Sequence, residues 1–192
     1  MTTRPGERRT QILQSLAAML EEPGSARITT AQLAARLDVS EAALYRHFAS
    51  KAQMYDGLIE FVETTLFGMI NRIAEHETSG VAQLRAMVTL LLGFSEKNRG
   101  MTRVLIGDAL VTEDDRLKTR IGQLHDRVEA SLRQSCRIAQ AQEELGATPD
   151  AETRANALMS FVVGRWHQFA KSEFRRLPSE FWESQQTLLL SR

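Results

Sequence analysis

Apolar residues recur three and four positions apart along most of the chain, and no stretch alternates apolar with polar long enough to predict a strand. A first helix is expected over 6–22, with Ile12, Leu13, Leu16 and Leu20 on one face and Pro23–Gly24 stopping it. A second follows a Thr29 cap over 30–37, after which Asp38, Val39 and Ser40 bend the chain. A third, over 40–48, takes Ser40 as its N-cap and carries Glu41 in the first turn, where a carboxylate suits the helix dipole. Ala34, Val39 and Leu44 are the apolar residues expected to lock the second helix to the third.

The periods then lengthen. A fourth helix is expected from Ser50 to about His76, with Met54, Leu58, Phe61, Val62, Leu66, Met69 and Ile73 on a broad apolar face. A fifth, over 81–97, is apolar nearly all round and reads as the central pillar of a helical bundle. A short sixth covers 101–110, and the charged run 112–116 caps a seventh that repeats Leu117, Ile121, Leu124, Val128 and Leu132. Residues 143–150 form a linker, and two more helical segments occupy 151–174 and 178–190. The pattern predicts an all-α protein, with a three-helix unit over 1–50 followed by a larger helical bundle over 51–192.

One stripe in the penultimate helix bears on assembly. Leu158, Met159, Val162, Trp166 and Phe169 give the segment 154–174 more apolar surface than one face of a monomer needs. The stripe reads as core or as a surface covered by a second copy. The expectation taken forward is a two-fold homodimer with Met159, Val162, Trp166 and Phe169 at its interface.

Net charge is zero, which argues against a protein that coats polyanions but leaves room for a local basic patch. Residues 1–54 carry seven basic and five acidic side chains, a small surplus that the remainder reverses. Cys136 is the only cysteine, so the chain has no internal disulfide framework and a reducing cytoplasm is the expected compartment. The start MTTRPGERRT lacks the apolar core of a signal peptide, and runs such as 87–94 fall well short of the roughly 20 residues a membrane span needs, so no membrane role is expected.

Catalysis finds no constellation to carry it. There is no Gly-rich phosphate loop, no nucleophile elbow and no Cys–His pairing, and Cys136 lies on an apolar face. His76, His125 and His167 lack metal-ligand spacing, and Glu113–Asp115 reads as a solvated helix start. The expectation is a protein without enzymatic activity, cofactor or metal.

The chemistry-bearing stretch is ITTAQLAARLDVSEAALYRHFASK, residues 28–51. Two short helices around a tight bend, the second loaded with Ser, Glu, Tyr, Arg and His, match a helix-turn-helix, whose second helix enters the major groove. Thr29 and Thr30 offer hydroxyls and helix N-terminal N–H groups to a phosphate. Ser40, Glu41, Ala42 and Ala43 form the leading end of the recognition helix, Tyr45, Arg46 and His47 extend it, and Lys51 lies just beyond.

The segment SEAALYRHFASK resembles the TetR-type regulators, whose N-terminal helices carry an LYxHFxxK recognition segment ahead of a long connecting helix. The resemblance implies an all-α homodimer that binds palindromic double-stranded DNA through the helices and dimerises through its C-terminal domain. Further along, ILQSLAAMLEE, LIEF, LLLGFSEKNRGMTR and SEFRRLP are similar in order and spacing to the nucleoid occlusion branch of that family. Resemblance to that branch implies a cytoplasmic, nucleoid-associated protein that, when DNA-bound, engages the division protein FtsZ and blocks ring assembly over the chromosome. It implies no obligatory small-molecule ligand. The branch's FtsZ-tail groove, between the fourth and fifth helices, matches Phe61, Leu90, Gly93, Lys97 and Asn98 here.

Those residues allow the reading on their own chemistry. Phe61 and Leu90 suit an apolar slot or plain core, Gly93 suits either the approach of a partner backbone or tight helix packing, and Lys97 suits a carboxylate. Two features depart from the branch: a short N-terminal arm with only Arg4, Arg8 and Arg9, and Met69 in place of a basic residue on the fourth helix. The alternative is a ligand-responsive TetR-type repressor.

Overall fold

The computed structural model describes residues 5–22 and 28–191. In chain order its elements are α1 (Pro5–Glu21), α2 (Thr30–Arg36), α3 (Glu41–Tyr45), α4 (Lys51–His76), α5 (Gly80–Lys97), α6 (Arg99–Leu105), a 3-10 turn (Asp108–Leu110), α7 (Asp115–Ala141), α8 (Ala151–Lys171) and α9 (Trp182–Leu189). Every regular element among the described residues is helical, as the periodicity predicts. The expected stop at Pro23–Gly24 and the arm residue Arg4 lie outside the described residues. No helix among the described residues is long and apolar enough to cross a membrane.

The chain divides into two compact units, one of residues 1–62 with 99–121 and one of 63–98 with 122–192, rather than breaking at 50/51. In the first unit, α2 begins with a reciprocal cap. Thr29 Oγ1 accepts the Gln32 backbone N–H at 3.2 Å while Gln32 Oε1 accepts that of Thr29 at 2.8 Å. Asp38, with φ of 53°, takes the left-handed conformation that turns the chain into α3. Leu33, Ala34 and Leu44 are buried where the two helices meet. Val39, expected to share that role, is only half-buried, and Leu33 fills the place.

α3 is helical only to Tyr45, short of the expected Phe48. The chain tightens there because Phe48 must turn inward, and it is 1% exposed, its N–H donating to Leu44 O at 3.1 Å. Further on, α6 lies hard against α1: a Cβ on Gly100 would stand 2.1 Å from the Ala17 carbonyl oxygen. Only glycine permits that approach.

In the second unit α5 is the buried pillar the sequence predicts, with Leu84, Val88, Leu91 and Leu92 fully enclosed. α7 buries Leu124, Val128, Leu132 and Cys136 on one stripe, at the four-residue spacing of a helix face. α8 closes on α5 through Trp166, whose indole N–H donates to Leu91 O at 3.1 Å and so satisfies the one polar group that burial of the ring strands. Arg154, 7% exposed, donates to the carbonyls of Thr148, Pro149 and Ser191, which ties the linker and the C-terminal end to α8.

Two expectations fail here. Met159, Val162, Trp166 and Phe169 are 5% exposed or less within the single chain, so they form its own core and cannot be the surface that a second copy covers. Helical periodicity marks a face as buried without saying whether the same chain or a partner buries it. On α4, Phe61 and Met69 are 49% and 42% exposed, while Tyr55, Ile59 and Ile70 turn inward. The buried face of α4 is therefore rotated from the one the spacing suggested.

Candidate nucleic-acid interface and partner surface

The first unit brings the expected DNA-reading residues to one end. Ser40 caps α3, its Oγ accepting the Ala43 N–H at 3.2 Å, and Glu41, Ala42, Tyr45 and Arg46 are exposed along the short helix. Ala43 and His47 are half-buried. Small residues at the tip allow close approach to base edges, and an alanine methyl can pack on a thymine methyl. Thr30 Oγ1 donates to Glu41 Oε2 at 2.5 Å, so the start of α2 fixes a carboxylate at the leading edge of α3. A carboxylate held there suits the exocyclic amine donor of a cytosine.

Arg9, one of the arginines of the short N-terminal arm, turns back onto the end of α3. Its guanidinium stacks 4.1 Å from the Phe48 ring centroid and donates to the His47 carbonyl, which closes off the end of α3. Sequence reading missed that link because 38 residues separate the partners. Arg8 donates to Gln11 Oε1 at 3.0 Å within α1.

Lys51 departs from the expectation of a free cation at the start of α4. Its ammonium pairs with Glu113 Oε1 at 2.5 Å, its side chain is 24% exposed, and it stands 5.7 Å from the centroid of the Tyr55 ring. Burial, and then the nearby Glu113 charge, push the Tyr55 hydroxyl up from its ordinary range, so that it stays protonated and neutral. One turn on, Asp56 takes Arg116 at 2.6 Å and Arg120 at 3.0 Å. The opening turns of α4 are thus held to the start of α7 by a charge cluster. Nothing local announces Glu113, which lies 62 positions from Lys51.

A phosphate reaching Lys51 has to compete with Glu113. Replacing Glu113 with Gln therefore frees one cation for DNA. Affinity should rise severalfold at low salt, and the slope of log K against log salt should steepen by about 0.9, as expected for one more neutralised phosphate. Adding Lys51→Ala to Glu113→Gln should take that increment away again. Fluorescence titrations at four salt concentrations measure both, and equal slopes in all three proteins would show that Lys51 meets no phosphate.

The second unit carries the other candidate residues on α5. Leu90 and Gly93 are half-buried, Lys97 is exposed, and Asn98 caps the helix with its side-chain amide donating to Phe94 O at 2.8 Å. These positions recur at three and four residues, so Leu90, Gly93 and Lys97 share one face. A Cβ on Gly93 would meet nothing within 4 Å, so that face has an open floor rather than a tight helix contact. In the first unit, Phe61 is exposed on α4.

The outer face of α8 shows Ala157, Ser160 and Gly164, and α9 and the turn before it expose Leu188 at 79% and Phe181 at 64%. Among the described residues no group of three His, Cys, Asp or Glu is placed to hold a metal ion.

Comparison with known proteins places these features in context. Residues 12–58 match the family of bacterial regulatory proteins of the tetR type. Residues 78–192 match the tetracyclin repressor-like C-terminal domain of the SlmA-like kind. The nucleoid occlusion factor SlmA of Marinomonas sp. strain MWYL1 is 48% identical over 189 residues, 98% of this chain and 96% of the relative. The proteins of the same name from Idiomarina loihiensis and Escherichia fergusonii are 49% and 50% identical, each covering 96% of this chain and 94% of the relative. Among solved structures, the MbdR regulator from Azoarcus sp. CIB superposes with a TM-score of 0.80 at 17% identity, covering 95% of this chain and 97% of that one. AibR in complex with isovaleryl coenzyme A and operator DNA superposes at 0.75, also at 17% identity, covering 95% and 98%. Such structures share the fold alone.

Proposed function

Because the chain belongs to the SlmA family of TetR-type regulators, we propose that it is a DNA-binding nucleoid occlusion factor: a homodimer on near-palindromic sites that, once there, engages FtsZ and blocks division-ring assembly. The observation that carries this is where the likeness lies. Identity near 50% runs through nearly the whole chain, the regulatory C-terminal half included, whereas regulators that share only the fold stand at 13–21%. A DNA-binding end alone would support any repressor of the fold; a matched C-terminal unit supports the particular activity.

In this reading α3 reads bases, with Ser40, Glu41, Ala42, Ala43, Tyr45, Arg46 and His47 at the groove and Thr29, Thr30 and Lys51 toward the backbone. Half-site centres would lie about one helical turn apart, on the order of 34–36 Å, or slightly further. The α5 face of Leu90, Gly93, Lys97 and Asn98 takes the FtsZ tail, Lys97 meeting a carboxylate. Trp166, Phe169, Val162, Leu91 and Leu124 are fully buried in the second unit, so the ligand-responsive reading would have to use the open cleft of about 350 Å³ lined by Ile70, Ala74, Gln83, Met87 and Ser135.

Dimerisation is assigned to the outer faces of α8 and α9, since the stripe first expected there is internal. A glutamate at Leu188 adds a charge to an apolar contact without touching the core. Leu188→Glu should sediment as a folded monomer with unchanged helical circular dichroism. A variant that remains dimeric would move the interface away from α9.

The deciding experiment is sedimentation of FtsZ polymers with the protein alone and with the protein on its selected DNA. DNA-bound protein should co-sediment and reduce polymer mass more than free protein does. If polymers neither bind it nor change, division control is not its function, and sites mapped beside a single transporter or enzyme gene would then favour the repressor.

A further inference from the structure

We propose that the loop 175–181 is a second wall of the partner surface on α5, so that an acidic segment ending in a free carboxylate is gripped by Arg176 and Leu177 as well as by Lys97; this rests on the reading of the α5 face given above. On α5, Thr89, Gly93 and Glu96 follow one helical row and Leu90, Gly93 and Lys97 the next, with Gly93 between them. The loop and the start of α9 are bonded to the first row. The Trp182 indole N–H donates to Thr89 Oγ1 at 2.9 Å, and the Ser179 N–H donates to Glu96 Oε1 at 2.7 Å. Chain therefore runs alongside the open floor at Gly93 and borders it.

The wall is stiff. The Arg165 guanidinium reaches across from α8 and donates to three loop carbonyls: Leu177 at 2.7 Å, Pro178 at 2.9 Å and Glu180 at 2.8 Å. Ser172 Oγ accepts the N–H groups of Arg175 and Arg176 at 3.2 and 2.9 Å, which fixes the start of the loop. On this frame Leu177 stays 47% exposed and Arg176 is exposed. A large apolar side chain left in water on a preorganised loop is the form a binding anchor takes, since little entropy remains to be lost on binding.

Charge selects the occupant. Arg176 lies three positions before Ser179, a span of at most about 10 Å, and it is exposed, as is Lys97 in the last turn of α5. Glu96, the carboxylate of that turn, is already engaged by Ser179. Two cations beside an apolar residue and an open helix floor fit an acidic peptide with an apolar side chain and a terminal carboxylate.

The test uses the full-length protein on its DNA and a fluorescein-labelled peptide of the FtsZ C-terminal tail, read by anisotropy. Arg176→Glu should weaken binding about tenfold and Leu177→Ala severalfold, with DNA affinity and sedimentation unchanged. Glu96→Ala, which releases the loop, should weaken binding, and Glu96→Gln, which keeps an acceptor for Ser179, should restore most of it. If Arg176→Glu and Leu177→Ala bind as the parent does while Lys97→Asp does not bind, the loop is no wall and only this proposal falls. If Lys97→Asp also binds as the parent does, the α5 reading falls with it. A shift of either loop variant to monomer would assign the loop to a second copy and overturn the proposal.

Discussion

Phe169→Glu should yield no stable fold at all, rather than the folded monomer that a dimer-interface position would give. Phe169 is 0% exposed and meets Phe174 edge-on, ring centroids 5.0 Å apart, beneath a chain reversal in which the Phe174 N–H donates to Phe169 O at 2.8 Å. Truncating a buried phenylalanine alone costs about 3–5 kcal/mol. A carboxylate there adds several kcal/mol more, because it is taken out of water and the Phe174 ring against it offers no partner. Together these approach or exceed the roughly 5–15 kcal/mol that holds a typical domain. The expected result is insoluble protein or a chain without a cooperative thermal transition. Phe169→Leu should stay folded and lose about 0.5–1.5 kcal/mol for the aromatic pair beyond its difference in area. A soluble, helical, monomeric Phe169→Glu would return this residue to the dimer interface.

The contrast shows what the sequence could and could not convey. Three-and-four spacing located all the long helices and the stripe of α8, because a helix face must repeat at that period whatever covers it. It left open who covers the stripe, and Trp166 settled it by reaching Leu91 O, 75 positions away. α3 read as longer than it is because Tyr45, Arg46, His47 and Phe48 all tolerate a helix. The pull that ends the helix, burial of Phe48 under Arg9, comes from α1. Phe61 looked like core by period, yet it is half in water, since Tyr55, Ile59 and Ile70 fill the inward positions of α4. The helix-turn-helix was legible because it is local in sequence, with caps and bend inside 28–51. Glu113 was not, because an ion pair between residues 62 apart leaves no pattern in either neighbourhood.

Two glycines should respond in opposite ways to a side chain, and the difference isolates the partner surface. At Gly100 a Cβ would stand 2.1 Å from Ala17 O, a backbone atom that cannot yield, so Gly100→Ala should separate α6 from α1 and cost much of the first unit's stability. At Gly93 a Cβ meets nothing within 4 Å, and the residue sits well inside α5. Gly93→Ala should therefore stabilise the helix by about 1 kcal/mol, raising the melting temperature by roughly 2–4 °C. Gly93→Leu, also a good helix former, should keep the fold, the dimer and the DNA affinity. Its side chain, however, occupies the floor where the backbone of the proposed partner would lie. Binding of the FtsZ tail should drop at least tenfold, a loss of about 1.4 kcal/mol or more, and overproduced protein should no longer block division. A residue whose enlargement strengthens the fold and abolishes the activity has no structural reason to be glycine, which leaves contact with a partner as the reason. Should Gly93→Leu bind the tail and halt division as the parent does, the α5 face is not where FtsZ docks.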